Sequence, residues 1–508
     1  MTMTNNSVLC RWLLNLWHTF QSLWATSALG GWCHRRADNF RAAGEESWVC
    51  DLASRKGALR RAWTGSVFCR VLVFLFNLPT TVARGIYRLG QRLWDGSVCF
   101  KGVAALGRGC WLLLGLFALV MLVAPHERWD NLYAFLGAAA LVLLYAVGCS
   151  NQKDKALEVG RMGPWFALYF LFITLGLVTS LSVSLSLRFY LFHLTGFFMV
   201  LVAVSAVNDR RQLRAMLVCA AVGLAVAALY GCYQGYIGVE VVASQQDMTL
   251  NEDMPGRVYA FFDNPNNFAE VLVMLMPLTG ALTLNAKGWR GRVLGVCALA
   301  ASLAALGLTY SRSSWLGLVL AVAIFLILMD WRFLPAMVVV GLCAIPLLPT
   351  SILNRILTIG NMEDTSAKYR VAIWEDTGRL LKDYGLTGTG LGNDVMGKVF
   401  HQYPTLYDGN YPIHTHNNYL QMWGETGFFG LLAFLGLLLG QFKEGLQAFR
   451  RADKELRRIL AAALGSFVGI LAVSLVEYTW FYPRNMFLFW FLTGTIAATI
   501  KLARKRQA

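Results

Sequence analysis

The side chains best suited to chemistry lie in four polar clusters, each beside a long apolar run. The clusters cover residues 256–267, 310–315, 368–379 and 414–425, and they contain histidines, arginines and amides. Titratable and amide groups next to a membrane span are costly to keep unless they have a function. We therefore expect the four clusters to contribute to one site.

The last cluster, His414-Thr-His416-Asn417, closes a polar segment and opens directly into an apolar run. A histidine at the mouth of a membrane cavity can act as a general base, because its ordinary pKa lies near neutrality. Histidines two residues apart do not match the i, i+4 spacing of a helical zinc motif, so a metal site is disfavoured. The structural alternative is a histidine that only caps the next helix.

The other three clusters supply arginines. Arg257 and Asn267 lie before an apolar run, where the amide can bind a ligand or cap a helix. Arg312 lies at a bare junction between two apolar runs, which predicts an anionic partner unless it snorkels to lipid headgroups. Arg370 and Arg379 can reach toward the membrane or form solvated salt bridges, and for Arg379 the salt bridge is favoured.

Arginines together with a histidine favour one reaction class, the displacement of a lipid-linked diphosphate by a hydroxyl group. Planar guanidinium forks match phosphate oxygens, and the histidine would take the proton of the hydroxyl. The arginines would stabilise the charge on the leaving group, a role that a metal ion often fills. A run of glycines at residues 388–392 is similar to a nucleotide-binding loop but lacks its strand-turn-helix setting, so we interpret it as a tight loop.

The rest of the chain predicts an all-α integral membrane protein. Of its 508 residues, 56% are hydrophobic and 15% are charged, and the apolar blocks are long enough to cross a bilayer as helices. We predict about twelve spans, followed by a cytoplasmic tail. They are 110–125, 131–148, 164–181, 189–207, 213–237, 268–285, 292–309, 314–329, 333–350, 419–441, 459–477 and 485–502.

The positive charges predict the orientation of these spans. One set of loops, with the C-terminal tail, carries 20 lysines and arginines, whereas the opposite loops carry five. Cytoplasmic loops hold the excess, so both termini are predicted to be cytoplasmic and the polar clusters to face outward. The largest outer loop, about 350–418, lies between spans 9 and 10.

Residues 1–109 form a basic extension to the membrane domain at 110–508. They contain 14 lysines and arginines against 5 acidic residues. An interfacial amphipathic helix on the anionic membrane surface fits this pattern, and a poorly ordered extension is the alternative. Nucleic-acid binding is not expected, because basic residues that flank the membrane already account for the charge. The 11 cysteines support neither a disulfide framework nor a zinc site.

Four motifs in this order resemble the signature of the O-antigen ligase and O-antigen polymerase superfamily. They are Ser311-Arg312-Ser-Ser-Trp, Tyr369-Arg370-x-x-x-Trp374, the glycine run, and His414-x-His416-Asn417-x-Tyr-Leu-Gln-x-x-x-Glu425. The resemblance implies a metal-independent, inverting glycosyltransferase of the bacterial inner membrane, without a cofactor. Its donor would be an undecaprenyl-diphosphate-linked glycan, and its site would face the periplasm.

By the same resemblance, His416 is the catalytic base, and Arg312 and Arg370 bind the donor diphosphate. Arg257 and Asn267 match a more variable donor motif, and the role of His414 is less defined. A ligase would transfer the glycan to a hydroxyl of lipid A-core, whereas a polymerase would use another glycan as acceptor. We favour the ligase, with the polymerase as the alternative.

Three further alternatives stay open. A protein-glycosylating member of the superfamily would share these motifs. A metal-dependent oligosaccharyltransferase would need acidic ligands, for which Glu127 and Asp130 are the candidates. A flippase for the lipid-linked glycan would place polar residues in mid-span, which these spans largely lack.

Overall fold

The computed structural model describes residues 58–241, 255–360, 365–404 and 411–505, with scattered positions between 15 and 35. The chain divides into two compact units, Met1–Ala62 and Trp63–Ala508. Most of the first unit falls outside the described residues, and so does most of the basic extension before residue 58. The described part is helical and contains no strand.

The described part of residues 58–505 contains twenty α-helices, which we number in chain order. Five precede the predicted membrane domain: α1 (Ala58–Gly65), α2 (Val67–Phe76), α3 (Leu78–Leu89), α4 (Gln91–Gly96) and α5 (Val98–Arg108). The next seven are α6 (Cys110–Val123), α7 (Asn131–Gly148), α8 (Pro164–Val178), α9 (Val183–Ala206), α10 (Arg210–Ile237), α11 (Pro265–Asn285) and α12 (Trp289–Leu308). The last eight are α13 (Arg312–Asp330), α14 (Leu334–Ala344), α15 (Thr350–Leu357), α16 (Thr365–Tyr384), α17 (Asn393–Phe400), α18 (Asn418–Phe449), α19 (Lys454–Val473) and α20 (Pro483–Lys505).

Within the described residues, nine helical stretches are long and apolar enough to cross a membrane, or up to eleven if two bent pairs each form one span. The bent pairs are α2 with α3 and α5 with α6. The predicted spans at 314–329 and 333–350 fall largely in one candidate stretch, Arg312–Leu347. Helix α8, where a span at 164–181 was predicted, has 15 residues and is shorter than the nine candidate stretches. The chain is therefore a multi-pass all-α membrane protein, while the count of twelve spans stays a prediction.

Close helix packing brings the ends of α13 and α19 together. A Cβ atom on Gly469 of α19 would lie 2.5 Å from the carbonyl oxygen of Gly317 in α13, and one on Gly465 would lie 2.4 Å from that of Ala321. Small residues let membrane helices approach to backbone contact. This contact fixes the start of α13, which carries Arg312, relative to the segment that follows α19.

Helix α20 forms the centre of the bundle, since 94% of its most apolar window is buried. Large side chains such as Phe487, Trp490 and Phe491 are almost fully enclosed by neighbouring helices. A helix that is apolar on every side is stable only when other helices surround it or when lipid does. The short segment between α19 and α20 is consequently held by two tightly packed helices.

Candidate functional site

The glycine run at residues 388–392 is a tight loop that docks on a break in α18. Gly427 has φ 71°, which interrupts the helix and frees nearby carbonyl groups. The backbone N–H groups of Thr389 and Gly390 donate to the carbonyl oxygens of Gly424 and Glu425, at 2.7 and 3.2 Å. The N–H of Phe428 donates to Gly385 at 2.8 Å. These bonds explain the loop structurally and tie α16 and α17 to the start of α18.

The glycines of this loop are required by its backbone conformation. Gly388, Gly390 and Gly392 have φ values of 77°, 111° and 89°, which side-chain-bearing residues rarely adopt. A Cβ atom at Gly392 would also lie 2.0 Å from the ring of Phe189. The interpretation as a tight loop, rather than a nucleotide-binding loop, therefore has a packing explanation.

The histidine cluster forms a strained turn at the start of α18. His416 has φ 47°, in the left-handed region, and its N–H donates to Nδ1 of His414 at 3.2 Å. Asn417 is the residue that caps α18, because its Oδ1 accepts from the N–H groups of Tyr419 and Leu420 at 2.9 and 3.0 Å. The alternative in which a histidine caps this helix is therefore wrong.

Glu477 lies at the centre of the site, although it is far from the histidines in sequence. Its Oε1 accepts from Nη2 of Arg370 at 2.5 Å, and its Oε2 lies 3.5 Å from Nδ1 of His416. Asn266 Nδ2 donates to the same Oε1 at 3.4 Å. Glu477 is almost fully buried. The structure thus brings His416 and Arg370 together through one carboxylate.

Arg257 reaches the same place from the start of α11. Its Nη2 donates to Oδ1 of Asn266 at 2.6 Å, and its Nε donates to the carbonyl of Thr309 at 2.7 Å. Asn266 therefore connects the Arg257 guanidinium to the Glu477 carboxylate. Three helix termini converge here, those of α11, α12 and α13, because Thr309 follows α12 directly and only two residues separate it from α13.

Arg312 begins α13 and is half-buried. Its Nη1 donates to the backbone carbonyl and the hydroxyl oxygen of Thr358, at 2.8 and 3.2 Å. Arg355 of α15 is buried, and its Nε lies 3.4 Å from the carbonyl of Tyr310. Helix α15 thereby adds a further guanidinium next to the junction between α12 and α13.

The electrostatics of the site are dominated by these cations. Burial lowers the pKa of Arg257 to about 9, and the positive charges of Arg355, Arg312 and Arg370 contribute to the shift, while Glu477 opposes it. Arg257 still remains charged at neutral pH. Four guanidiniums close enough to influence one another form a field suited to an anion with several charges.

Two further pKa shifts assign protonation states. Burial disfavours ionisation of Glu477, but the charge of Arg370 and the hydrogen bond with His416 outweigh it and lower its pKa to about 2. Burial, followed by the proximity of His416, lowers the pKa of His414 to about 3. At neutral pH Glu477 is a carboxylate and His414 is a neutral imidazole that can accept the His416 N–H.

Other predicted residues take part in local structure. Asn267 donates from Nδ2 to Asp263 Oδ1 at 2.7 Å. Arg379 forms the favoured salt bridge, with Asp376 at 2.6 Å, and also donates to the carbonyl of Pro404. Both polar ends of Asn417 are engaged, since its Nδ2 donates to the Leu475 carbonyl at 2.8 Å. Asp130, the metal-ligand candidate, accepts from the N–H of Leu132 as the cap of α7.

Sequence reasoning missed Glu477, Asn266 and Arg355. A signal for Glu477 was present, because it is the only acidic residue after Glu455 and lies between two apolar runs on the face predicted to carry the site. Asn266 was part of a named cluster, but the adjacent Asn267 was chosen. Arg355 looked like an ordinary charge of the outer loop, and only the fold buries it.

Two comparisons with known proteins found sequences similar to this chain. Residues 297–435 match the family model described as O-antigen ligase, and the match includes Arg312, Arg370 and His416. The chain is also 23% identical over 353 residues to the exopolysaccharide production protein ExoQ of Rhizobium meliloti strain 1021. That alignment covers 68% of this chain and 78% of ExoQ.

The helices are those of a multi-pass membrane protein, and the family that these comparisons indicate suggests an enzyme of the glycosyltransferase type. The match of residues 297–435 to this family model and the similarity to ExoQ support the O-antigen ligase and O-antigen polymerase superfamily, so the resemblance drawn from the four motifs is confirmed.

Proposed function

We propose that this protein transfers a glycan from undecaprenyl diphosphate to an acceptor hydroxyl by direct, inverting displacement. The observation that carries the proposal is the Glu477 carboxylate, which lies between Nδ1 of His416 and the guanidinium of Arg370. The arrangement joins a candidate base and a candidate phosphate-binding cation in one site. Metal-independent transfer from a lipid diphosphate to a hydroxyl uses both groups, one for the proton of the hydroxyl and one for the charge of the leaving group.

His416 acts as the general base. With its proton on Nδ1, directed at Glu477, the ring keeps a lone pair on Nε2 for the acceptor hydroxyl. The hydroxyl oxygen bonds to the anomeric carbon while its proton moves to Nε2. The ionised Glu477 then stabilises the imidazolium that forms, in the manner of the acid in a hydrolase triad.

The arginines act on the leaving group. The bond between the anomeric carbon and the diphosphate oxygen breaks, and the diphosphate leaves with the electron pair. Arg257, Arg312, Arg355 and Arg370 supply fixed positive charge where this negative charge develops. No step in this mechanism requires a metal ion. Among the described residues, no three His, Cys, Asp or Glu side chains are grouped as ligands for one.

For the acceptor, we propose lipid A-core, which makes the protein an O-antigen ligase. The family model that matches residues 297–435 supports this choice by its description. Polymerisation onto another glycan is the second candidate, and the similarity to an exopolysaccharide production protein favours it. The two reactions share donor and mechanism, so they differ only in the hydroxyl that reaches His416.

We also propose that the protein lies in the bacterial inner membrane with both termini in the cytoplasm and the site facing the periplasm. The excess of lysine and arginine on one set of loops supports this orientation. It would place the site on the side where finished lipid-linked glycans are used.

The test uses the purified full chain in detergent with a chelator and an undecaprenyl-diphosphate-linked repeat unit, with and without lipid A-core. We expect a product that requires lipid A-core, resolved by size on a gel. A ladder formed without lipid A-core would identify a polymerase. Activity that appears only after magnesium or manganese is added would overturn the arginine mechanism.

The His416→Ala variant tests the base directly. We expect it to lose product formation while it still binds the lipid-linked donor, because the arginines are unchanged. His401→Ala is the matched control, since His401 is an exposed histidine that follows α17. Unimpaired transfer by His416→Ala would refute the assignment of the base.

A further inference from the structure

The peptide groups of Thr415, between the two histidines, are held from both sides, by the buried side chain of Gln421 and the half-buried side chain of Trp374. Thr415 itself is completely buried. Its N–H donates to Oε1 of Gln421 at 3.1 Å, and its carbonyl accepts from Nε1 of Trp374 at 3.0 Å. Both neighbouring residues, His414 and His416, are therefore attached to a backbone segment whose two polar groups have fixed partners.

The Gln421 amide is oriented in turn by Glu425, four residues later on the same helix, α18. Gln421 Nε2 donates to Glu425 Oε1 at 2.8 Å, and the hydroxyl of Tyr478 donates to the same oxygen at 3.3 Å. All three side chains are buried. Because Nε2 has an acceptor in Glu425, the carbonyl oxygen of Gln421 is the atom presented to Thr415.

The Trp374 contact ties this turn to the arginine that binds Glu477. Trp374 and Arg370 are four residues apart on α16, so they lie on the same face of that helix. Tyr478, which donates to Glu425, is the residue after Glu477. Helix α16 and the segment after α19 therefore each contribute one contact that holds the histidine turn and one member of the Arg370–Glu477 pair.

The turn needs such support, because His416 adopts a left-handed backbone conformation. This conformation costs about 1–2 kcal/mol for a residue with a side chain and persists only where the surroundings impose it. The N–H of His416 is held by His414, and Asn417 begins the helix. Within the turn, the Thr415 hydroxyl donates to the carbonyl of Asn417 at 2.7 Å and accepts from its N–H at 3.3 Å. The bonds from the Thr415 peptide groups to Gln421 and Trp374 attach this turn to α18 and α16.

We infer that Gln421 and Glu425 are positioning residues, which direct the His416 imidazole toward Glu477 and the acceptor hydroxyl by fixing the Thr415 peptide. The inference rests on the proposed role of His416 as the base. It assigns a mechanistic purpose to two polar residues that contact neither the arginine groups nor the His416 ring in the described structure.

The test is a charge exchange between the two side chains. Gln421→Glu places two carboxyl groups in hydrogen-bonding contact, where one must take up a proton or both must move apart. The double variant Gln421→Glu/Glu425→Gln restores the pattern, because the new carboxylate accepts from Thr415 and from the new amide. Gln402→Glu, at an exposed position after α17, controls for the substitution itself.

For Gln421→Glu we expect kcat to fall by about 10-fold or more, the loss associated with about one misplaced polar contact, while the donor dissociation constant stays within about twofold. The double variant should recover most of the kcat, and Gln402→Glu should match the wild type. Trp374→Phe, which keeps an aromatic ring at this position but removes the N–H donor, should lower kcat several-fold because the Thr415 carbonyl loses its partner.

Equal losses of kcat and donor binding in Gln421→Glu, with no recovery in the double variant, would show a purely structural role and overturn the inference. Wild-type kcat in Gln421→Glu would also overturn it. Neither result contradicts the proposed function. The proposed function would be contradicted by a different observation, either activity in His416→Ala or no transfer from the lipid diphosphate by the wild type.

Discussion

Replacing Glu477 with glutamine separates its effect on His416 from its effect on donor binding. The substitution keeps the shape and the hydrogen-bonding oxygen but removes the negative charge, which is 3.5 Å from His416 Nδ1 and in contact with Arg370. If His416 takes a proton in the transition state, the lost charge weakens transition-state stabilisation. Donor affinity should stay the same or increase, because the arginine cluster becomes more positive.

The magnitude follows from this distance. Opposite unit charges at 3.5 Å attract by about 5 kcal/mol at an effective dielectric constant of about 20, which is an upper limit because Arg370 partly neutralises Glu477. Measured hydrogen bonds to charged groups contribute about 1.5–3 kcal/mol, so kcat should fall by about 10- to 150-fold. The donor KM should stay constant or decrease.

The assay is steady-state transfer by the full chain, with the donor concentration varied at saturating acceptor. Glu375→Gln is the control, since Glu375 is an exposed carboxylate on the same helix as Arg370. Thermal melting of each variant in detergent checks that the fold is intact. A Glu477→Gln enzyme with wild-type kcat and a raised donor KM would refute the reasoning, because the carboxylate would then act on the donor and not on the base.

Three other results are expected. Arg312→Lys should raise the donor KM by about 10-fold or more with a smaller effect on kcat, because an ammonium cannot make the bidentate contact of a guanidinium; a change in kcat alone would contradict this, as measured in the same transfer assay. Gly392→Ala should lower the melting temperature by several degrees, because the new Cβ would lie 2.0 Å from the ring of Phe189 and φ is 89°. Gly378→Ala is the control, since a Cβ there meets nothing within 4 Å, and its melting temperature should stay at the wild-type value. Equal melting temperatures for the two variants would rule out the packing argument. The pKa of His414 is lowered to about 3, so between about pH 6.5 and 3 the unfolded chain binds a proton there that the folded chain excludes. The free energy of unfolding should therefore decrease as pH falls through this window, by up to about 1.4 kcal/mol per pH unit. His414→Gln should flatten the dependence of the melting temperature on pH from 7.5 to 5, and an unchanged slope would show that His414 is not the group responsible.

The sequence predicted the helical membrane class correctly, and the roles of the principal site residues stay predictions. Long apolar runs can only be helices in a bilayer, since each backbone polar group must be satisfied within its own segment. The polar clusters at Arg312, Arg370 and His416 stood out because charges are rare beside such runs. In the structure Arg370 and His416 contact the same carboxylate, and Arg312 lies at the start of α13 in the same cluster of arginines.

Other assignments needed the structure because polar side chains of one type serve different purposes. Asn417 and Asn267 are substrate-binding candidates from the sequence, and that role stays a prediction. The structure adds that the Asn417 side chain caps α18 and that Asn267 bonds to Asp263. The count of twelve spans stays a prediction, because hydropathy alone cannot tell one long stretch at Arg312–Leu347 from two short spans.

Local composition was thus enough to predict a helical membrane protein with a cationic, histidine-containing candidate site, because hydrophobicity and charge can be read from short stretches of the chain. The partners within that site follow from the tertiary fold. Glu477 follows His416 by 61 positions, and Glu477 meets Arg370 and Asn266 from three separate segments. The packing of α11 on α19 and of α16 on α18 brings those segments together. Contacts between remote residues depend on such packing rather than on any local pattern.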